Sequence, residues 1–281
     1  MLIVDAQVHV WTAGKASAHH TQGRPEPFTP NDLLTEMRDA GVDCAVLAPP
    51  GWDPGGNAPS LDAARAMPDR FAVTGDIDWL GPPDPLRIRH WRDQPGMHGL
   101  RLNFNTPEKQ THLASGAADW IWTEAQRADI PVMLLIPGGV PLVKEIAERY
   151  PALRLCVDHL GIPRGAKDAA AFAHLPELLA LAKFPNVSVK VGGFPAYSTV
   201  DPYPYPSLHG HLRRVYDAFG PERMFWASDL SRMTCPYREV VTLFTEGVPW
   251  LTEQDKRLIM GEAVCRWLGW TPSRVQQLRA G

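Results

Sequence analysis

The segment Val132–Val157 reads VMLLIPGGVPLVKEIAERYPALRLCV and decides the fold. It opens with a short apolar run, continues with a helical pattern that Pro141 starts and Tyr150 and Pro151 end, and closes with a second apolar run at Leu153–Val157. Continuous runs of Val, Leu and Ile are typical of parallel strands that are covered on both faces. The segment therefore predicts a strand–helix–strand unit.

The same alternation extends along the whole chain. The apolar runs are Leu2–Val4, Cys44–Leu47, Phe71–Gly75, Gly99–Phe104, Val132–Ile136, Leu153–Val157, Val187–Val191 and Met224–Ala227. The predicted helices are Asn31–Ala40, Ala117–Arg127, Pro141–Arg149, Asp168–Lys183, Leu208–Phe219, Tyr237–Glu246 and Glu253–Leu268. Strands that alternate with helices through short links indicate an α/β fold with a parallel sheet.

Eight such units predict closure into a (β/α)8 TIM barrel, an architecture for which about 250 residues is typical. We expect residues 1–281 to form this barrel as a single domain. An open, doubly wound sheet is the alternative. No Gly-x-Gly-x-x-Gly motif follows any of the apolar runs to support it.

The composition is that of an ordinary globular protein, with 44% hydrophobic and 21% charged residues. The formal net charge is −3, and no basic stripe marks a surface for nucleic acid. No apolar stretch approaches the ~18 residues that span a bilayer. The chain also starts without the basic and apolar regions of a signal peptide. These features predict a cytoplasmic protein that acts on a small molecule, with no membrane or nucleic-acid partner.

Polar residues occur where three of the predicted strands end. Alternation along the first strand points Asp5, Gln7 and His9 to one face. His159 follows the sixth strand, and Asp229 follows the eighth. Any one of them could be a structural residue or a helix cap. Because the active sites of TIM barrels lie at the carboxyl ends of the strands, the set predicts a reaction centre there, with His9, His159 and Asp229 as its catalytic residues.

Four further residues are predicted to bind the substrate together with Gln7. Arg101 and Asn103 share one face at the end of the fourth strand, Lys190 lies near the end of the seventh, and Arg232 follows the eighth. Arginine binds carboxylates through two parallel hydrogen bonds, so these cations predict an anionic substrate. For each cation, an ion pair with a nearby aspartate is an equally good explanation.

The remaining candidates are aromatic residues and long loops near the same strand ends. Trp11, Trp79 and the loop tyrosines Tyr197, Tyr203 and Tyr205 are candidates for packing on a flat ring. The Pro-rich loops Thr12–Pro30 and Gly192–Ser207 follow the first and seventh strands, and long loops of this kind are often lids or binding loops. They could equally form a contact in a homo-oligomer.

The motifs around these residues resemble those of the amidohydrolase superfamily, in its 2-pyrone-4,6-dicarboxylate lactonase-like branch. Six segments carry the resemblance in order along nearly the whole chain: Val4–Trp11, Met97–Asn103, Cys156–Pro163, Val187–Gly192, Trp226–Asp229 and Gly261–Ala263. They resemble the Asp-x-His-x-His, Gly-x-Arg-x-Asn, Asp-His-Leu-Gly-x-Pro, Val-x-x-Lys-x-Ser-Gly, Gly-[ST]-Asp and Gly-x-Asn-Ala segments. The resemblance implies a (β/α)8 barrel and, in most members, hydrolysis of a C–O or C–N bond.

Two departures from the family pattern bear on metal binding. Gln7 replaces the first His of His-x-His, and Gln is a poor zinc ligand. The fifth strand offers no His or Lys where metal-dependent members place a ligand. We therefore predict a hydrolase without a metal or other cofactor, acting on a small, carboxylated cyclic ester. In it, Asp229 would activate water, His9 and His159 would polarise the carbonyl group, and Gln7 would orient the carbonyl group or the water.

Two alternatives stay open. Since three protein ligands can hold a catalytic zinc, the chain could be a metal-dependent amidohydrolase or nonoxidative decarboxylase with His9, His159 and Asp229 as ligands. It could also be a barrel that binds a small ligand without chemistry.

Overall fold

The computed structural model describes residues 1–14, 16 and 24–272 and contains one eight-stranded parallel sheet with strand order β1 to β8. The strands are β1 Val4–Val8, β2 Cys44–Leu47, β3 Phe71–Gly75, β4 Met97–Asn103, β5 Val132–Leu135, β6 Leu155–Val157, β7 Val187–Gly192 and β8 Met224–Ala227. The helices are α1 Pro30–Ala40, α2 Ala58–Ala66, α3 Pro85–Arg89, α4 Pro107–Ala114, α5 Asp119–Arg127, α6 Val140–Arg149, α7 Asp168–Ala171, α8 Leu175–Ala180, α9 Pro206–Phe219, α10 Tyr237–Thr242, α11 Glu253–Arg257 and α12 Ala263–Leu268. The predicted TIM barrel is confirmed.

Hydrogen bonds between β1 and the residues that directly follow β8 join the two ends of the sheet. The Asp229 backbone N–H donates to the Gln7 carbonyl at 3.1 Å. The Ser228 backbone N–H donates to the Asp5 carboxylate at 2.9 Å. The closing contact therefore joins the strand ends that carry the candidate site.

Local sequence signals explain where helix α1 begins and ends. Thr29 and Asp32 form a capping box, in which each side chain accepts a hydrogen bond from the other residue's backbone. Pro30 occupies the first turn, where its missing N–H costs nothing. Gly41 ends the helix with a left-handed φ of 79°, a conformation that glycine adopts without strain.

The core has two layers, as a closed barrel requires. One lies between the strands and the surrounding helices. The other lies inside the barrel, where Val4, Val46 and Met133 pack with Trp267 and Leu268 of α12. Helix α12 therefore covers barrel-interior residues. No helix in the described ranges is both long and apolar enough to cross a membrane.

Three predictions about secondary structure need correction. The first strand is Val4–Val8 rather than Leu2–Val4, so it contains Gln7 itself. The predicted helix Asp168–Lys183 is broken into α7, α8 and a short 3-10 turn. Pro176 lacks the N–H that would continue the hydrogen-bond ladder, and its ring would clash with the preceding turn.

The third correction is that helices α2, α3 and α4 occupy segments that were predicted as connections. Each has a proline in its first turn, which is the sequence signal for a helix start.

Of the two long loops, Gly192–Ser207 includes a short 3-10 helix at Phe194–Tyr197. Part of Thr12–Pro30, including residues 17–23, lies outside the described residues.

Candidate active site

The three predicted catalytic residues come together at the carboxyl ends of the strands. His9, His159 and Asp229 are buried and line one cavity of about 530 Å³. His159 and Asp229 have φ angles of 52° and 48°, in a left-handed region that non-glycine residues seldom adopt. Such strain is characteristic of functional sites, because the surrounding structure must compensate for it. Here it occurs where β6 and β8 turn into their loops.

Two hydrogen-bond contacts orient the ring of His9. Its Nδ1 lies 2.6 Å from the Ala48 carbonyl oxygen, which can only accept a hydrogen bond. Its Nε2 lies 3.1 Å from Oδ1 of Asp229. Both contacts are satisfied together only when both ring nitrogens carry a proton. The geometry therefore fixes the His9 ring between a backbone acceptor and the Asp229 carboxylate.

His159 differs from His9 in its Nε2 atom, which accepts a hydrogen bond rather than donating one. Nδ1 lies 3.0 Å from the Gly192 carbonyl oxygen, so Nδ1 carries the proton in the neutral ring. The close approach of the His159 ring to the backbone of residue 192 requires glycine there, because a Cβ at position 192 would lie 2.6 Å from His159 Nδ1. Burial lowers the pKa of His159 to about 4, which keeps the ring neutral. His159 therefore presents a lone pair at Nε2, whereas the predicted polarising role requires a proton there.

This burial makes stability depend on pH. The folded pKa of His159 lies below its ordinary value of 6.5, so on acidification the unfolded chain takes up this proton first. The contribution of the neutral His159 ring to the free energy of unfolding is fully present above pH 6.5. A loss on the order of 3 kcal/mol in this free energy accompanies the fall in pH towards 4. We expect the His159→Gln variant to lose less unfolding free energy than the wild type between pH 7 and 4.5, measured by urea denaturation. A His112→Gln change on α4 is the control and should keep the wild-type dependence; equal behaviour of the two variants would contradict the assignment.

Asp229 accepts hydrogen bonds on both carboxylate oxygens. Gln7 Nε2 lies 3.3 Å from Oδ1, and Arg232 Nη1 lies 3.0 Å from Oδ2. Burial opposes the charge, but the hydrogen bond from His9 and the positive charge of Arg232 outweigh it and lower the pKa of Asp229 well below its usual value. Asp229 is therefore a carboxylate at neutral pH.

A second buried charge cluster adjoins the cavity and contributes Arg101 and Asp158 to its lining. The Lys190 ammonium, which is fully buried, pairs with Asp158 Oδ1 at 2.7 Å. Arg101 Nε pairs with Asp158 Oδ2 at 2.8 Å. Burial alone would raise the pKa of Asp158, but these two cations lower it to about 2. The negative charge of Asp158, at the end of β6, is therefore compensated by Arg101 of β4 and Lys190 of β7.

Gln7 connects the two clusters. Its Oε1 accepts a hydrogen bond from Lys190 at 3.0 Å. Its Nε2 lies 3.1 Å from His159 Nε2 and 3.3 Å from Asp229 Oδ1. Since the lone pair of His159 faces the amide, Gln7 donates to both groups.

The predicted alternation along β1 does not hold. The register shifts between Asp5 and Val8, and Tyr237 of α10 donates to Asp5 at 2.6 Å. Asp5 therefore anchors β1 to β8 and α10, and it is absent from the cavity lining. Burial raises the pKa of Asp5 to about 6.

The predicted substrate-binding residues divide into two groups. Gln7, Arg101, Asn103 and Arg232 line the cavity, whereas Lys190 does not. The Lys190 side chain is held below the cavity by Asp158 and Gln7, since burial of an unpaired ammonium would be costly. Direct contact between Lys190 and a substrate therefore does not follow from this arrangement.

Other lining residues escaped the sequence analysis or were assigned differently. Trp52 and Lys167 lie in the loops after β2 and β6, where the rule that active sites follow strand ends would have found them. Trp11 packs on Phe28 at a ring-centroid distance of 5.3 Å, and Trp79 packs against another core ring. The two predicted ring-binding tryptophans are therefore core residues, and Trp52 lines the cavity instead.

The polar atoms of the site are engaged by one another. Among residues 1–14, 16 and 24–272, no group of three or more His, Cys, Asp and Glu side chains has an arrangement that could hold one. Gln7 points N–H groups, which cannot ligate a cation, at His159 and Asp229. The fifth strand contributes Leu135 to the cavity. Arg232 already supplies positive charge to Asp229.

The described chain is a TIM barrel with two histidines and an aspartate at its strand ends, the arrangement of a TIM-barrel enzyme. The amidohydrolase family model matches residues 4–270, and the chain belongs to this family.

Comparisons with individual proteins agree with this assignment. An L-fucono-1,5-lactonase from Burkholderia ambifaria is 27% identical over 240 residues, which cover 80% of this chain and 79% of the relative. The crystal structure of an amidohydrolase from Burkholderia multivorans with bound zinc has a TM-score of 0.78 at 21% identity and covers 96% of this chain and 100% of its own. A candidate 2-pyrone-4,6-dicarboxylic acid hydrolase from Pseudomonas putida has a TM-score of 0.73 at 20% identity, with 96% and 98% covered. At these identities, the two structures show the fold alone.

Proposed function

We propose that this protein hydrolyses a small carboxylated lactone without a resident metal. The observation that carries the proposal is the Asp229 carboxylate in the cavity, flanked by Nε2 of His9 and by Nε2 of His159. A lactone is an activated ester, so a positioned base and hydrogen-bond donors can supply the catalysis that it needs. The L-fucono-1,5-lactonase relative supports a lactone as the substrate.

In the proposed reaction, Asp229 takes a proton from water while the water oxygen attacks the lactone carbonyl carbon. Asp229 thereby loses its negative charge, and the carbonyl oxygen gains one. His9 Nε2–H, which lies 3.1 Å from Asp229 Oδ1, then donates to the new oxyanion. Such a donor contributes about 3–4 kcal/mol to a transition state. The proton on Asp229 passes to the ring oxygen as the C–O bond breaks, which gives a hydroxy acid.

His159 acts in this proposal as a hydrogen-bond acceptor. Its Nε2 lies 3.6 Å from Asp229 Oδ2, too far for a direct hydrogen bond. Its lone pair instead accepts from Gln7 Nε2 at 3.1 Å, so His159 holds the Gln7 amide beside Asp229, and the attacking water donates to Asp229. This role replaces the carbonyl polarisation that the sequence suggested for His159.

The charges around the cavity favour an acidic substrate. Four cationic side chains line it, and they are Arg101, Arg164, Lys167 and Arg232. Only two acidic side chains, Asp158 and Asp229, are among the lining residues of the described chain. Arg164 is exposed beside the cavity and is a candidate partner for a substrate carboxylate.

A panel of purified compounds tests the proposal in the presence of a metal chelator. It contains a 2-pyrone dicarboxylate, its uncharged ester analogue, a neutral sugar 1,5-lactone and a carboxylated phenol. We expect hydrolysis of the carboxylated lactone with kcat/KM at least about 10-fold above that of the neutral analogue, because a hydrogen bond to a charged group contributes about 1.5–3 kcal/mol. The assay follows ring opening by absorbance and by proton release.

Two outcomes would contradict the proposal. Release of carbon dioxide from the phenol without ring opening of any lactone would indicate a decarboxylase. Lactone hydrolysis that the chelator abolishes and zinc restores would indicate a metal-dependent hydrolase.

A further inference from the structure

The Lys190 ammonium is surrounded by acceptors in the interior of the barrel. It contacts Asp158 Oδ1 at 2.7 Å, Gln7 Oε1 at 3.0 Å and Met133 Sδ at 2.9 Å. An ammonium group has three N–H donors and no acceptor. Each donor is therefore directed at one of these atoms, and the side chain is fully buried around them.

This arrangement selects one of the two orientations of the Gln7 amide. Only the oxygen end of the amide can accept from Lys190, so the nitrogen end faces the cavity. That nitrogen carries two N–H groups, and two acceptors lie within reach, His159 Nε2 at 3.1 Å and Asp229 Oδ1 at 3.3 Å. Turning the amide over would direct its N–H groups at an ammonium and its oxygen at a lone pair and a carboxylate.

The orientation determines whether the site can accept a metal ion. A metal ligand must offer a lone pair, and the Gln7 N–H groups engage the lone pairs of His159 and Asp229. A metal would have to break both hydrogen bonds, while the Gln7 oxygen stays held by Lys190. The cation of Lys190 would also lie near the incoming ion.

We propose that Lys190 excludes divalent metals from the active site by holding the nitrogen end of the Gln7 amide towards His159 and Asp229. Lys190 is thus a positioning residue that acts through Gln7. The inference rests on the metal-free part of the proposed function and explains it by a contact between β1 and β7. It gives a role to a lysine that does not line the cavity.

Zinc affinity of the purified full-length chain tests the proposal. The protein is first dialysed against a chelator, and zinc binding is then measured by competition with a chromophoric chelator. We expect the Lys190→Met variant to bind zinc about 10-fold more tightly than the wild type, because groups that orient ligands change metal affinity by about 10–100-fold. The Gln7→His/Lys190→Met variant adds an imidazole ligand and should bind about 100-fold more tightly.

The Lys167→Met variant is the matched control. Unlike Lys190, Lys167 lines the cavity, and its ammonium donates to the Ala196 carbonyl. Its removal takes away one positive charge of the same cavity and should change zinc affinity by less than about threefold, since solvent and salt screen exposed charges. If Lys167→Met gains as much zinc affinity as Lys190→Met, the loss of one positive charge explains the effect. That result would overturn the proposal.

A second variant keeps the test decisive if Lys190→Met does not fold. Gln7→Glu retains Lys190, pairs one carboxylate oxygen with it and turns the other oxygen towards His159. We expect about 10-fold tighter zinc binding. No gain in the folded variants, or wild-type zinc binding already as tight as theirs, would overturn the proposal.

The zinc measurement requires no substrate. If the compound panel yields no lactone, the zinc affinities still decide the role of Lys190. If lactones are hydrolysed without metal but the variants gain no zinc affinity, the proposed function survives and this inference fails.

Discussion

The Asp229→Asn variant is expected to lose roughly 10²- to 10⁴-fold in kcat, the contribution of a positioned general base. The substitution keeps the size of the side chain but removes the negative charge that accepts from His9, Gln7 and Arg232. Steady-state kinetics on the lactone found by the panel gives kcat, and calorimetric titration gives substrate affinity. We expect affinity to fall far less than kcat, because the loss lies in the transition state.

An exposed carboxylate provides the control for this substitution. Asp217 on α9 pairs with Arg213 at the surface, and Asp217→Asn should keep wild-type kinetics. An Asp229→Asn variant with more than about a tenth of the wild-type kcat would fall short of the 10²-fold that a general base supplies. The His159 lone pair would then be the better candidate for the base.

The second large effect concerns stability. We expect Asp158→Asn to lower the free energy of unfolding by about 3–5 kcal/mol, the usual cost of removing one partner of a buried ion pair. Lys190 would be left as a fully buried ammonium without its counter-ion, and Arg101 would lose the same partner. Urea denaturation measures the free energy, and thermal unfolding should show a melting temperature lower by roughly 10 °C.

Asp119→Asn is the control for the buried pair. Asp119 pairs with Arg149 at the protein surface, where both side chains are solvated. An exposed pair of this kind contributes about 0–1 kcal/mol. Equal destabilisation by the two substitutions would show that the Asp158 cluster does not stabilise the barrel more than a surface pair does.

Local sequence patterns determined the barrel and the place of its active site. Continuous apolar runs predicted the strands, and the residues that follow β1, β6 and β8 predicted His9, His159 and Asp229 at one end. This succeeds because the strands of a parallel barrel all point the same way, so residues at their carboxyl ends must meet. No long-range information is needed for that step.

Elements without a local pattern were harder to predict. Helices α2, α3 and α4 have weak or short amphipathic patterns. Only the prolines in their first turns indicated these helices in the sequence. The register shift after Asp5 is set by pairing with β2. It sends Asp5 towards Tyr237, a residue far away in the sequence.

The amino-acid sequence by itself determined that this chain forms an amidohydrolase barrel with two histidines and an aspartate at its mouth. Only the tertiary structure decided which atoms of these residues carry protons and which end of Gln7 faces them. The Gly192 carbonyl places the proton of His159 on Nδ1, and Lys190 turns the Gln7 amide. The physical reason is that a hydrogen bond has a direction, and in this site the direction is set by partners on other strands, which no local pattern records.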